Sequence, residues 1–420
     1  MRKAYPRSVS YLLQPPLPIV YTEWSLTLST ARGAMGHLIA KYGLLVVAGA
    51  PFVYYSLAIF SSWRFFLSPR NAVNPNSGYT PPVSILKPVR GLDPDAYDNF
   101  ASFCRQDYPE YEILFCVGDA SDRVVPIIEK LAVDFPERQI CVLYGTGRDA
   151  TNDKVAKLAR LTREARYDTL VINDSDVRAE AGYLRKIVAP LADPKVGAVT
   201  CFYVPTHETS VVQRLQSVGM LSDFYPGILV AWLLDGVKFA LGPTIATTRA
   251  RLQGFGGFEA IENRPGDDLL VGRLIAEQGY EVKLLRYWID TVADFHSMRD
   301  LVLKRLRWMV VMRHMRPWGH FGLLFTLGLP WAIIAALVSH SKAVGLAYLG
   351  TYLAVRVAMT WLIGSWGLKQ TFHLRYFLLI PIWDALAVGI WVRSFTRNTI
   401  NWRNREYYIR NGELVPVSAE

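Results

Sequence analysis

The chain has 420 residues, 51% of them apolar, with ten more basic than acidic groups and four cysteines. That length holds one large domain and something more. The basic residues border the apolar runs instead of forming a solvent-facing stripe, which argues against nucleic acid as a partner and for an anionic lipid surface and a negatively charged substrate. The cysteines (Cys104, Cys116, Cys141 and Cys201) show no metal-type pairing and read as buried thiols in a reducing compartment.

Residues 1–36, with Gln14-Pro15-Pro16-Leu17-Pro18, read as a poorly ordered segment, and Met35 is a second candidate start. The uncharged run Tyr42 to Trp63 predicts a transmembrane helix over 37–66, too late and too long for a cleavable signal. From 70 to 316 the composition is that of a soluble domain. Strands are predicted near 83–88, 111–117, 139–143 and 169–173, with helices at 94–106, 123–135 and 152–166 between them. This alternation predicts an α/β fold with a parallel-rich sheet covered on both faces, whose ligands bind beyond the carboxyl ends of the strands. Asp119 and Asp122 follow one such strand, and Asp174 and Asp176 another. Carboxylates two residues apart at a strand end can face one divalent cation, which in turn bridges to a diphosphate. Taken alone, Asp174-Ser175-Asp176 would equally be a solvated turn.

Further on, 196–202 and 239–247 read as strands, and 265–278 as a helix opening with Gly266-Asp267-Asp268. Residues 211–235, which include Phe224, Tyr225, Trp232 and Leu234, read either as a buried core helix or as a stretch in the membrane interface. Lys304, Arg307 and Trp308 stand at i, i+3 and i+4 and share a helix face. Three apolar runs (319–340, 343–367 and 376–392) predict C-terminal transmembrane segments over 317–392, followed by a basic tail, 393–420. Arg356 and Asp384 fall near the centres of the last two runs. A lone charge there is costly, so they are predicted to pair. Basic residues before and after these runs should share one side of the membrane, yet four full spans would separate them. Either one segment fails to cross or the charge rule fails.

Several motifs in order carry a family resemblance. Val83-Ser84-Ile85-Leu86-Lys87-Pro88-Val89-Arg90-Gly91-Leu92-Asp93-Pro94, then Gln106-Asp107-Tyr108-Pro109, then Asp122, Asp174, Asp268 and the KxxRW of 304–308 resemble the inverting family-2-type glycosyltransferases, ceramide glucosyltransferase branch. The resemblance implies a glycosyltransferase A-type domain with transmembrane helices at both ends. It further implies inverting, metal-dependent transfer of a hexose to a membrane-lipid hydroxyl: glucose from UDP-glucose, with ceramide as acceptor. Lys87, Asp122, Lys154, Asp174, Arg307 and Trp308 would bind the nucleotide-sugar, Asp174 and Asp176 would hold Mn2+ or Mg2+, and Asp268 would be the catalytic base. Tyr225, Trp232, Asp267 and Lys304 would lie in the acceptor region. The domain is expected in the cytoplasm, at a bacterial inner membrane.

Three departures bear on the acceptor. Lys304 stands where the family has Gln or Arg and lacks the planar fork for phosphate; Tyr225-Pro226 stands where the ceramide branch has His-Pro; and the second acidic site is a full Asp-Ser-Asp. Bacterial enzymes that transfer N-acetylglucosamine or other sugars to hopanoid polyols share most of these blocks and form the alternative. A processive polysaccharide synthase is a second alternative, although it would keep the Gln and build a larger pore. A catalytically dead membrane scaffold fits the spans but not the acidic set.

Overall fold

The strand Val83–Pro88 (β1) is buried at all six positions, as a central strand covered on both faces requires. It pairs in parallel with Tyr111–Val117 (β2) on one side and Thr169–Ile172 (β4) on the other, and β2 pairs in parallel with Gln139–Tyr144 (β3). Val177–Arg178 (β5), Val196–Thr206 (β6), Ile245–Thr248 (β7) and Glu281–Val292 (β8) complete an eight-stranded sheet of order β3-β2-β1-β4-β7-β6-β8-β5. The computed structural model describes residues 21–72, 78–206, 208–292, 297–371, 374–402 and 405–417.

The expected parallel sheet is mixed. β7 runs antiparallel to both β4 and β6, and β5 runs antiparallel to β8. The strand expected over 239–247 enters the ladder only at Ile245, because Gly242-Pro243 interrupts it and proline has no N–H to give. Both faces are covered, as expected. On one face Phe100, Phe103, Phe115, Ile128 and Tyr183 form a cluster; on the other, Leu158, Leu161, Leu86 and Phe202 join Tyr55, Phe65 and Phe66. Cys141 departs from the expectation of four buried thiols and is exposed, because β3 is the sheet edge.

Phe65 and Phe66 end the helix Ala50–Leu67 and pack onto Phe202 of β6, with ring centroids 5.7 and 6.1 Å away. The membrane helix is thus joined to the sheet by buried aromatic rings as well as by chain continuity. It continues backward through Gly49 into the helix Tyr21–Ala48, with Pro51 just after the break. The segment 1–36, expected to be poorly ordered, is therefore helical from Tyr21, beyond the last proline of its Pro-rich stretch; residues 1–20 lie outside the described residues.

Contacts order the apolar helices. Lys41 Nζ donates to the Ser339 carbonyl at 3.0 Å, Tyr348 Oη to the Leu45 carbonyl at 2.8 Å, and the Arg356 guanidinium stacks on Tyr55 at 5.2 Å. The Trp366 ring meets Phe66 at 6.0 Å. The helix leading to Leu67 and the stretch Lys342–Gly367 therefore run in the same direction, and Gly367 ends beside the sheet. Pro317–Phe325 and Gly328–Ser339 form a pair bent by 44°. Tyr55 Oη holds the bend, donating to the Thr326 carbonyl and accepting from the Gly328 amide, each at 2.9 Å. The last apolar helix, Ile380–Phe395, lies alongside Met298–Met315 in the same direction: Arg305 stacks on Trp383 at 4.8 Å, and Arg313 Nη1 donates to the Ser394 carbonyl at 2.6 Å.

The predicted pair of Arg356 and Asp384 forms. Arg356 Nε donates to Asp384 Oδ2 at 2.9 Å, Nη2 reaches Oδ1, and Tyr352 Oη donates to the same carboxylate at 2.7 Å. Arg356 Nη1 also donates to the Ser222 carbonyl. Ser222 lies in a widened turn, Met220–Phe224, within the continuous helical stretch 211–235, where the ordinary helical bonding pattern changes. That stretch is mostly buried, packed on Ala50–Leu67 and β6, as the core-helix reading of it expects.

The basic tail 393–420 is folded. Thr399–Trp402 (β9), Arg405–Arg410 (β10) and Glu413–Pro416 (β11) form an antiparallel meander. Its Ile400, Tyr407, Ile409 and Leu414 cluster with Leu306 and Val310 of Met298–Met315. The Leu414 amide donates to the Asn263 carbonyl at 2.7 Å. Residues 418–420 lie outside the described residues.

Candidate active site

The end of β4 supplies the first acidic group. Asn173 is fully buried, and its Nδ2 donates to Tyr183 Oη and the Pro243 carbonyl, each at 2.8 Å. This ties the loop before β7 to the strand end, so that Gly242 lies against Asp174. A side-chain carbon built at Gly242 would stand 3.2 Å from Asp268 Oδ2 and 3.4 Å from Asp174 Oδ2. Two carboxylates from segments almost a hundred residues apart thus flank one glycine, and only glycine leaves the space between them open.

Helix Asp267–Glu277 brings Asp268 there. Gly272 sits so close to the chain at Phe239–Ala240 that an added carbon would approach the Phe239 carbonyl carbon and the Ala240 nitrogen to 2.3 Å. This contact sets the first turn against Gly242, whose amide donates to Asp268 Oδ2 at 3.0 Å, while the Leu269 amide donates to Oδ1 at 2.9 Å. Gly266, at φ 71°, makes the sharp entry into the helix. Burial, with the charge of Asp267 beside it, raises the Asp268 carboxyl to about 6.

Lys154 joins the two clusters. Its ammonium lies 2.7 Å from Asp174 Oδ1 and 3.0 Å from Asp267 Oδ2. Burial alone would lower this lysine's pKa, but Asp174, Asp267 and Asp268 outweigh it and raise it above the ordinary range. Its position is fixed by Asn152, which caps the helix Asp153–Glu164 and whose Nδ2 donates to the Arg264 carbonyl at 2.8 Å. Asp267 is thus committed to Lys154, whereas Asp268 accepts only from backbone amides among the described bonds. That contrast favours Asp268 as the proton acceptor.

Asp176 and Lys304 face each other across the same space. Burial and the charge of Asp174 push Asp176 up to about 7, opposed by Lys304; burial lowers Lys304, opposed by Asp176. Lys87 is fully buried beneath, its Nζ 3.6 Å from the Phe103 ring centroid and 3.3 Å from the Asp174 carbonyl oxygen. Burial lowers its pKa to about 7. Among the described residues no three His, Cys, Asp or Glu side chains form a ready-made cation site. Asp174 and Asp176 nevertheless fit a divalent cation: they are half-buried oxygen donors whose mutual charge such an ion would relieve, with the remaining ligands coming from phosphate oxygens and water.

Trp308 shares the face of Lys304, as the spacing predicts, and its ring lies 6.0 Å from Phe224. Arg307 contributes to the positive field at Lys304. Other expected residues make structural contacts. Asp122 accepts from the Gly91 amide at 2.9 Å and from the Val124 amide at 3.1 Å, and so braces the loop after β1. Tyr225 is 1% exposed; its hydroxyl donates to the Tyr203 carbonyl and its ring packs edge-on against Phe202. Trp232 packs edge-on against Phe65 at 5.1 Å. Tyr225 and Trp232, expected in the acceptor region, are therefore built into the join between sheet and membrane helix. Sequence reasoning passed over Gly242, whose only signal was the Gly-Pro ahead of a strand, and Asp93, which accepts from Ser175 Oγ. It also passed over Arg305, hidden inside a basic run.

A mixed, mostly parallel sheet with carboxylates gathered at the carboxyl end of a central strand, beside a basic helix, is a glycosyltransferase A-type arrangement. The chain belongs to glycosyl transferase family 21, whose sequence profile matches residues 43–415. It is 22% identical over 392 residues to ceramide glucosyltransferase 1 of Caenorhabditis elegans, covering 90% of this chain and 82% of that protein. A ceramide glucosyltransferase of Gibberella zeae is 34% identical over 145 residues, 32% of this chain and 28% of that relative's length. Among solved structures, a mannosyltransferase of Pyrobaculum calidifontis in complex with GDP-Man and Mn2+ is similar in fold, with a TM-score of 0.55 and 19% identity over 86% of this chain and 97% of that one.

Proposed function

We propose that the chain transfers a hexose, glucose from UDP-glucose, to a hydroxyl of a membrane lipid, with ceramide the leading acceptor and inversion at the anomeric carbon. The observation that carries this reading is the convergence of Asp268 and Asp174 on Gly242, with Lys154 between the acidic groups. A lipid hydroxyl becomes a nucleophile when a base accepts its proton, and a buried carboxylate raised to about 6 suits that task. Lys304 and Arg307 stand where the departing diphosphate gathers charge. Asp174 and Asp176 would hold a divalent cation, which when bound would add Lewis-acid stabilisation of that leaving group. No second carboxylate nucleophile is required, so a single displacement suffices.

The contact order of the helices supports three crossings: the stretch leading to Leu67, the bent pair 317–339, and Lys342–Gly367. The helix Ile380–Phe395 would then stay on the catalytic side beside Met298–Met315. This arrangement brings the basic residues of 304–316 and 393–410 to one face, as the positive-inside rule asks of a cytoplasmic domain. Incubating the purified protein with UDP-sugars and separate ceramide and hopanoid-polyol acceptors tests the reading. A β-linked glucosylceramide by NMR is the expected product. A glycosylated hopanoid would replace the acceptor assignment, and an α-linked product would overturn the mechanism.

A further inference from the structure

Behind the acidic groups, where the helical stretch 211–235 meets Met298–Met315 and Ile380–Phe395, lies a second set of buried polar atoms that the chemistry above does not use. Arg305 is 9% exposed, its guanidinium held between the rings of Trp308 at 4.9 Å and Trp383 at 4.8 Å. Among the described residues its Nη2 has no hydrogen-bond partner, nor does Gln216 Oε1, whereas Trp383 interacts with the Asp223 carboxylate and Ser217 with Glu208. Gly219, one turn beyond Gln216, lies directly against the Trp383 ring, so these atoms share one locality. The Asp223 carboxylate is buried near both Arg305 and Trp383 and balances the guanidinium charge. An unpaired buried polar atom is costly. A donor and an acceptor both left unmet in one otherwise apolar helix layer describe a recognition surface better than a packing accident.

Its chemistry defines what it would take. One unmet donor, Arg305 Nη2, stands with one unmet acceptor, Gln216 Oε1, beside the Trp383 ring. With Asp223 present the locality is close to neutral, so it suits an uncharged group carrying both hydroxyls and acceptors rather than a phosphate. It is walled by Trp308, Trp383 and helices apolar enough to meet lipid chains. Tyr203 lies within electrostatic range of Arg305 and of Asp268, Asp174 and Asp176, so the locality and the acidic groups are near one another. Lys304, the preceding residue on the helix, faces Asp176.

We propose that Arg305, with Gln216 and Trp383, binds the polar head of the lipid acceptor and presents one of its hydroxyls toward Asp268. This rests on the transfer of sugar to a lipid proposed above. A ceramide amide-diol and a hopanoid polyol share the required chemistry, and separate assays with each identify the source.

The test measures KM for lipid and for UDP-glucose, together with UDP affinity by calorimetry, in the full-length protein. Arg305→Gln should raise the lipid KM at least tenfold with UDP affinity unchanged, and Arg305→Lys should recover part of the loss. If Arg305→Gln does not purify as a folded protein, Gln216→Met removes one acceptor at similar volume and should raise the lipid KM severalfold. Equal losses in donor and acceptor parameters, or an unchanged lipid KM, would overturn the inference. Absence of transfer to any lipid by the unaltered protein would instead reject the function on which it rests.

Discussion

Replacing Arg356 by Leu removes one half of a pair whose side chains are only 5% and 8% exposed. Asp384 would keep a single described donor, Tyr352 Oη at 2.7 Å, for a charge that burial makes expensive. Breaking such a pair costs about 3–5 kcal/mol. Asp384→Leu should cost a similar amount, because it leaves the guanidinium hydrogen-bonded only to Ser222 among the described bonds and without its paired carboxylate. The double replacement removes both charges but leaves Ser222 and Tyr352 with unmet bonds, each worth roughly 1–3 kcal/mol before re-pairing. The double variant should therefore lie above either single in stability yet below the starting protein, with a coupling energy of about 3 kcal/mol or more. At about 2–4 °C per kcal/mol, each single should unfold roughly 6–20 °C earlier, read by intrinsic fluorescence in detergent. A double variant as unstable as the two singles added together would refute the idea that the pair locks these helices.

Asp268→Asn should lower kcat by about 10²–10⁴-fold with UDP affinity intact, since it removes a proton acceptor and almost no volume; wild-type turnover would void the base assignment. Because Asp268 is raised to about 6 and must be ionised to act, kcat/KM should fall with decreasing pH below about 6 and level off above it; a flat profile down to pH 4.5 would contradict this. Asp174→Ala should weaken UDP and Mn2+ binding together, measured by calorimetry, and loss of one alone would separate their sites. Gly272→Ala places a carbon 2.3 Å from the Phe239–Ala240 backbone, so kcat should drop and stability fall by about 1–3 kcal/mol; normal values for both would show that this contact does not set Asp268.

The first half of the sheet was legible because helices and strands of ordinary length alternate there, and each change of period marks an element. β8 was not, since Glu281–Val292 mixes charged and apolar residues without clean alternation and is stabilised by pairing with β6. The carboxylates of the site were legible from motif order, and the pairing of Arg356 with Asp384 from the cost of isolated charges. What joins them was not. Gly242 and Gly272 matter for the space they leave, and a sequence gives no sign of which neighbour occupies it. Tyr225 was placed by its position before Pro226 and Trp232 by its apolar surroundings, and neither signal shows that their rings pack on Phe202 and Phe65. The path of Ile380–Phe395 depended on a lateral partner, Met298–Met315, that hydropathy cannot register.

The bond from the Leu414 amide to the Asn263 carbonyl carries a consequence for biosynthesis. Asn263 also accepts from the Thr151 amide and lies three residues before Gly266, so the segment carrying Asp267 and Asp268 is clasped by the loop before Lys154 on one side and by β11 on the other. β11 is made about 150 residues later, after the last apolar helix has been synthesised. At about 5–20 residues per second, the clasp can close only some eight to thirty seconds after Asn263 is made. A nascent chain still being threaded into the bilayer therefore carries Asp267 and Asp268, already set against Gly242 and Phe239, but lacks the bond from β11 that clasps their segment. That segment gains its second brace only when synthesis of the membrane helices is complete.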